Sequence, residues 1–206
     1  MRHHFRALLQ KVNPCDDRMD LASTLPSQVR DWLNEHDYET TAPHSRLIGS
    51  YGRNTAILNI KDVDILLFMP EYALDRTPNA ILLELRKVLA DYPDTTVNVS
   101  GQRRSIRLEF PAERLHLDIV PAVLSGTLDE PLKVPDRPLA EWIDSDPLGY
   151  GRRLSRLNRD HGEKVVPLVK LVKAWRDAQM KIRRPKSYVL EVMVVYAVEG
   201  GPCDSE

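Results

Sequence analysis

At 206 residues, with 42% hydrophobic, 29% charged and 6% aromatic side chains, the chain is long and apolar enough to bury the core of one or two globular domains, which excludes a disordered or collagen-like polymer. Its 29 Lys and Arg balance 30 Asp and Glu to a net charge of -1, so no whole-protein field draws it to nucleic acid or anionic lipid, and any nucleic-acid contact must come from a local patch. The longest apolar run, Val192 to Val198, falls far short of the roughly 20 residues of a membrane helix, and the start from Met1 to Leu9 has no secretory cleavage pattern, so the expectation is a cytoplasmic protein with no membrane partner.

In chain order, Leu21 to His36 reads as a helix that starts near Ser23 and Thr24, with Pro26 in its first turn and Val29, Trp32 and Leu33 at helical spacing. From Arg46 the period changes. Leu47-Ile48-Gly49 is a short strand pattern, and Asp62 to Phe68 a longer strand that stops at Pro70. Pro78 opens a helix with Ile81, Leu82, Leu85, Val88 and Leu89 on one face, ending near Tyr92-Pro93. Three strands follow, Thr95 to Val99, Ser105 to Phe110 and Leu115 to Val120, in a pattern that suits a meander. Five of the fifteen prolines lie between Pro121 and Pro147, which predicts a connecting segment with at most a short helix around Trp142 and sets a division between residues 1–130 and 131–206. Beyond it the pattern is helical: Leu154 and Leu157, then a face of Val165, Leu168, Val169, Val172 and Trp175, then Val189 to Val198. Cys15 and Cys203 lie near opposite ends without zinc spacing and read as incidental.

The segment that carries chemistry is Gly49-Ser50-Tyr51-Gly52-Arg53-Asn54-Thr55-Ala56-Ile57, followed by Asp62-Val63-Asp64. Residues two apart on a strand share a face, so Asp62 and Asp64 place two carboxylates side by side at the start of an apolar strand. Such a pair repels itself unless a cation lies nearby, and hard oxygen donors suit Mg²⁺. Asp118 stands in Leu115-His116-Leu117-Asp118-Ile119-Val120, again a charge within an apolar strand. Three carboxylates on adjacent strands suit two metal ions about 4 Å apart, the arrangement of nucleotidyl transfer. Each piece has a bland reading. Asp-x-Asp at a strand edge is also a solvated turn, and Gly-Ser is also an ordinary turn, although its backbone N–H groups suit a phosphate if a helix starts at Ser50.

Taken together, these motifs resemble the polymerase-beta-like nucleotidyltransferases, and within them the oligoadenylate-synthase and cyclic-GMP-AMP-synthase branch with its bacterial relatives, the cyclic oligonucleotide synthases of anti-phage signalling. The resemblance rests on Gly49 to Ile57 with Asp62-Val63-Asp64, and on Leu117-Asp118-Ile119-Val120-Pro121-Ala122. It continues through Val134-Pro135-Asp136-Arg137, Trp142 to Pro147, Leu168 to Trp175 and Lys186-Ser187-Tyr188-Val189-Leu190-Glu191, covering about Arg46 to Glu199. It implies an α/β (α+β) nucleotidyltransferase fold: a mixed, mostly antiparallel sheet with flanking helices plus a partial C-terminal helical lobe, with the active site between the lobes. It further implies two Mg²⁺ (or Mn²⁺) ions on Asp62, Asp64 and Asp118, with Asp118 assisting the attacking hydroxyl. Gly49 and Ser50 would cradle the triphosphate, Lys173 hold its β- and γ-phosphates, Ser187 add a hydroxyl, and Tyr188 stack on the donor base.

Alternatives stay open at these positions. Lys173, on a helix with Lys164 and Lys170, also reads as a solvated face, and Tyr188 as core. Arg103, Arg104 and Arg107, and Arg152, Arg153, Arg156, Arg159, Arg183 and Arg184, read either as solvated charge or as a surface for an RNA activator or acceptor. The histidines show no metal-ligand pairing, and His116 reads as a surface or packing residue. Family members continue well past the equivalent of Glu199, so the chain reads either as a fragment or as a minimal member whose cleft a homo-oligomer or a protein partner completes. The expected substrates are NTPs (ATP, with GTP or a pyrimidine NTP) and the expected product a cyclic di- or trinucleotide. Nucleotidyl transfer to tRNA or a protein, and a catalytically silent nucleotide sensor, are the competing readings.

Overall fold

The structure, a computed structural model, describes residues 2–58 and 61–200; Cys203 lies outside them. In chain order the elements are α1 (Arg2–Val12), α2 (Asp16–Glu35), β1 (Ser45–Ile48), α3 (Gly49–Gly52), β2 (Asp62–Met69), α4 (Pro78–Leu89), β3 (Thr96–Asn98), β4 (Ile106–Phe110), β5 (Leu115–Leu124), β6 (Leu132–Asp136), β7 (Glu141–Ser145), α5 (Pro147–Asp160), α6 (Val165–Gln179) and α7 (Ser187–Glu199). The chain forms two compact units. One, the sheet unit, comprises Asp17–Gly52 and Lys61–Gly149; the other, the helical unit, comprises Met1–Asp16, Arg53–Ile60 and Tyr150–Glu206. The expected division after residue 130 falls inside the sheet unit, between β5 and β6.

The sheet unit is built on a seven-stranded sheet of order β1-β2-β5-β4-β3, with β6 added to β5 and β7 to β6. Only β2 and β5 run parallel; the other pairs are antiparallel, and β3-β4-β5 form the expected meander. Alternation decides the two faces. Val63, Ile65, Leu108, Leu117 and Ile119 are fully buried, whereas the alternate positions at the start of β2 and β5 carry polar groups. Further along the same strands those alternate positions turn apolar, and Leu66, Phe68 and Ala122 pack with Leu132, Val134 and Leu148. Helix α4 starts as its sequence requires, with Thr77 Oγ1 accepting from Ala80 N–H at 3.3 Å and Pro78 in the first turn, and it buries Ile81, Leu82, Leu85 and Leu89.

Three elements differ from the sequence-based expectation. The proline-rich stretch is not a connector: β5 runs on through Pro121 to Leu124, and β6 and β7 form a hairpin that contains Trp142, whose indole N–H donates to the Arg76 carbonyl at 3.0 Å. Two of its prolines lie beside gaps in the ladder. Pro121 stays in register with Leu67 of β2 and on its other edge falls between the last residue of β5 paired with β4, Ile119, and the first paired with β6, Val123, while Pro135 pairs with Trp142 of β7 and lies beyond the β5 pairing. Helix α2 begins at Asp16 rather than near Ser23, which puts Pro26 in its interior. The lost helical bond costs about 3 kcal/mol, and burial of Ala22, Leu25, Pro26, Val29 and Leu33 along one stripe offsets it.

The third difference is in the helical unit. Val165 and Val169 point inward as expected and pack with Leu154, Val194 and Val195. The inward stripe then continues through Lys170, Lys173 and Arg176, and leaves Leu168 and Trp175 exposed. No described helix is long and apolar enough to cross a membrane.

Candidate functional site

In the sheet unit, the register of β2 on β5 sets Asp62 against His116 and Asp64 against Asp118. Parallel partners share a face, so the three acids expected to act together are brought to one face at the same end of two adjacent strands. Across β5 the antiparallel register places Arg107 of β4 against Asp118. Its guanidinium grips Asp118 with both edges, Nε donating to Oδ1 at 2.9 Å and Nη2 to Oδ2 at 2.6 Å, and the same Nη2 lies 3.0 Å from Asp62 Oδ1. The bond to Asp118 holds the Arg107 guanidinium even further above the usual range than its burial pulls it down. His116 completes the cluster, with Nδ1 at 3.3 Å from Asp62 Oδ1. Asp118 is the buried member, whereas the Asp62 side chain is 52% exposed.

The turn that leads into this face is equally constrained. β1 pairs with β2 so that Ile48 lies opposite Asp64, and the chain leaves β1 through Gly49 at φ +62° into the short helical turn α3 that carries Ser50. A Cβ at Gly49 would lie 1.9 Å from Asp64 Oδ2, so only glycine lets the backbone come this close to the carboxylate. Gly49, Ser50 and the acids therefore belong to one local construction.

The remaining predicted residues belong to the helical unit. Lys173 of α6 is fully buried, and its ammonium donates to Glu191 Oε1 at 2.5 Å and to the Thr55 carbonyl at 2.9 Å. Glu191, on α7, also accepts from Arg53 Nε at 2.9 Å and from the Thr55 hydroxyl at 2.9 Å. Burial drives the Glu191 carboxyl upward, but the Arg53 hydrogen bond and the Lys173 charge outweigh it and leave the group below its usual range. Lys173 is thus a core ion, not a member of a solvated face, and a phosphate contact would require its ammonium to exchange one of these partners. Ser187 Oγ accepts from Arg176 Nη1 at 3.0 Å at the start of α7. Tyr188 is exposed rather than core; its ring meets Tyr150 edge-on at 5.1 Å between centroids, and the Arg53 guanidinium lies 5.7 Å from its centre. Burial pushes the Tyr150 hydroxyl up to about 12, with the charge of Glu191 adding to the shift.

Sequence reasoning missed Arg107, His116, Arg53 and Glu191 as members of these clusters. Strand alternation held the signal for the first two, since His116 is two residues from Asp118 and a meander places Arg107 beside it. Arg103 and Arg104, read with Arg107 as one basic patch, do something else: both pair with the buried Asp136, at 3.2 and 3.1 Å.

A family model for the Second Messenger Oligonucleotide or Dinucleotide Synthetase domain matches residues 1–158, which include the glycine turn and all three acids. The chain belongs to that family. The chain is 29% identical over 205 residues to the cyclic AMP-AMP-AMP synthase of Acinetobacter sp., covering 94% of this chain and 57% of that protein. Among solved structures it resembles Vibrio cholerae DncV cyclic AMP-GMP synthase in complex with a linear intermediate, at 17% identity and a TM-score of 0.72 over 96% of this chain and 72% of that one. It also resembles E. coli MS115-1 CdnC with ATP, at 19% identity and a TM-score of 0.68 over 97% of this chain and 65% of that one. At these identities the structures establish the shared nucleotidyltransferase fold. The chain spans little more than half the length of its curated relative.

The donor chemistry fits the divalent ions expected from the sequence: three carboxylates on neighbouring strand positions, one closely approached by the Gly49 backbone, are hard oxygen donors of the kind Mg²⁺ takes. Among the described residues, no three acidic or histidine side chains are drawn into a metal-ligand cluster; the cation between Asp62 and Asp118 is Arg107.

Proposed function

We propose that this domain is the nucleotidyl-transfer core of a synthase that joins NTPs, ATP foremost, into a cyclic di- or trinucleotide that serves as a second messenger in anti-phage signalling. The observation that carries the reading is the shared face of Asp62, Asp64 and Asp118 beneath the Gly49 turn, in a chain of the synthetase family. The names of its relatives, which make cyclic AMP-AMP-AMP and cyclic AMP-GMP, support the product class.

In this reading Asp62 and Asp64 hold two divalent ions together with Asp118, and when bound those ions neutralise the triphosphate and its leaving group. Gly49 and the backbone N–H groups of α3 cradle the phosphates, with the Ser50 hydroxyl as a further contact. Asp118 orients an acceptor ribose hydroxyl and receives its proton as the oxygen attacks the α-phosphorus. The new P–O bond forms while the bond to pyrophosphate breaks. Ser187 and Lys173 add a hydroxyl and a positive charge for the β- and γ-phosphates, Lys173 by exchanging the Thr55 hydroxyl for a phosphate oxygen. Tyr188 presents its exposed ring to the donor base, a contact tolerant of base identity. Binding of a second copy or a protein partner is part of the same proposal; one solved relative is a complex of E. coli CdnC with a HORMA protein.

The test is incubation of the purified protein with Mg²⁺ or Mn²⁺ and radiolabelled NTPs, singly and mixed, beside an Asp62→Ala, Asp64→Ala variant. A metal-dependent, phosphatase-resistant product absent from the variant is the expected result. Equal product from a folded variant would overturn the assignment of the acids.

A further inference from the structure

The carboxylates expected to hold cations already hold one. Arg107 uses Nε and Nη2 for a two-pronged grip on Asp118 and turns Nη2 to Asp62 as well, so a single guanidinium joins two of the three acids. It does so from a fixed position, because the β4–β5 register sets Arg107 directly opposite Asp118. Its side chain is 24% exposed, between the more buried Asp118 and the open Asp62, so water reaches the guanidinium.

Three carboxylates on neighbouring positions repel one another unless a cation lies among them. A divalent ion bound to Asp62 and Asp118 at the usual 2.0–2.1 Å for Mg²⁺ would come within a few ångströms of the guanidinium and repel it. The fork geometry makes the conflict sharper: both Asp118 oxygens are engaged by the arginine, so an ion that shares either must weaken a charge-assisted bond.

We propose that Arg107 is a positioning residue that serves as the internal counter-cation of the acid cluster, and that divalent metal enters by displacing it. The proposal rests on the reading of Asp62, Asp64 and Asp118 as metal ligands, and deepens it. Arg107 holds Asp62 and Asp118 in place before metal arrives, at the cost of weaker metal affinity. Metal bound without nucleotide is then held loosely, and a metal ion arriving with a triphosphate, which brings its own oxygens, competes best with the guanidinium.

The sign of the effect separates this role from a merely structural one. Mn²⁺ binding to the full chain without nucleotide is measured by the electron paramagnetic resonance of free Mn²⁺, for wild type, Arg107→Gln, Arg107→Lys and, as a control for removing one positive charge elsewhere, Arg30→Gln. Arg107→Gln is expected to bind Mn²⁺ about fivefold more tightly, the scale of one charge-assisted hydrogen bond at a partly exposed pair. Arg107→Lys should fall between, since an ammonium keeps the charge but loses the fork, and Arg30→Gln should match wild type. The melting temperature of the metal-free Arg107→Gln protein should be lower than wild type, and Mn²⁺ should raise it by more. Unchanged or weaker Mn²⁺ binding by a folded Arg107→Gln, with wild type binding normally, overturns this proposal and leaves the metal-ligand reading standing. An equal gain in Arg30→Gln also overturns it, as a field effect of net charge. Absence of Mn²⁺ binding in both wild type and Arg107→Gln overturns the proposal and the metal-ligand reading together.

Discussion

The two units each carry a cluster of arginine or lysine with carboxylates, and the clusters differ in what surrounds them. In the sheet unit, Asp62 is half exposed and Arg107 a quarter exposed, so the charges keep contact with water and can exchange partners. In the helical unit, Lys173 and Glu191 are 0% and 1% exposed, and they are tied further to Arg53 and to both oxygens of Thr55. Similar groups therefore do different work. A buried pair locks structure, because losing one partner strands the other in a poor solvent, whereas a cluster open to water can trade a protein cation for a ligand cation.

The largest effect should come from breaking the buried pair. Lys173→Met leaves Glu191 with Arg53 and Thr55 alone, and Glu191→Leu leaves the ammonium with only neutral partners. Each is expected to lower unfolding free energy by about 3–5 kcal/mol, and the double variant by clearly less than the sum. Urea unfolding of the four proteins decides it, and additive losses would mean that the two residues act independently. Acid should act in the same direction. Glu191 has a folded value below its ordinary 4.5, so the stability it contributes is complete above 4.5 and fades as pH falls from there through the lower folded value. In Glu191→Leu that part of the acid sensitivity should be missing.

This contrast also explains what was legible in the sequence. Asp62, Asp64 and Asp118 stood out because a charge in a run of buried strand residues violates its pattern; the meander sets Arg107 beside Asp118, whereas the parallel β2–β5 register that joins the acids spans more than fifty residues and is not carried by local sequence. The burial of Lys173, which rules out the solvated-face reading, was hidden for the opposite reason. A lysine on a helix obeys the ordinary amphipathic pattern when it faces water, and its burial here depends on Glu191 eighteen positions later and on Thr55 far upstream. The inward stripe of α6 follows Val165 and Val169 and then passes to Lys173 and Arg176, one residue beyond the apolar Val172 and Trp175 that periodicity favours. The β6–β7 hairpin was hidden by its prolines, which lie beside gaps where neighbouring strands stop pairing, a fact of tertiary register that local sequence does not carry.

A smaller effect on stability, with a larger one on chemistry, is expected at the turn that serves the open cluster. Gly49→Ala forces a Cβ into the left-handed region at φ +62° and against the Asp64 carboxylate. The backbone strain costs about 1–2 kcal/mol, and the displaced Asp64 should lose metal-dependent product formation by about 10² or more, since misplacement by about 1 Å has that scale. Thermal melting and the radiolabelled assay together test both halves. A variant with wild-type activity would show that Asp64 needs no such close approach.

The smallest effect should be at Trp175, and its smallness sharpens the comparison between buried ions and exposed apolar groups on one helix. By composition Trp175 is the obvious core residue of α6 and Lys173 the obvious surface residue, yet Trp175 is 60% exposed and Lys173 not at all. Trp175→Gln removes little buried apolar area and leaves no stranded polar group, so its stability should lie within about 0.5 kcal/mol of wild type, against several for Lys173→Met two residues away. Urea midpoints measured side by side check the order. If the tryptophan variant were the weaker of the two, α6 would have to present its apolar face inward, as periodicity alone suggests, and the Lys173–Glu191 pair could not be the element that fixes α6 to α7.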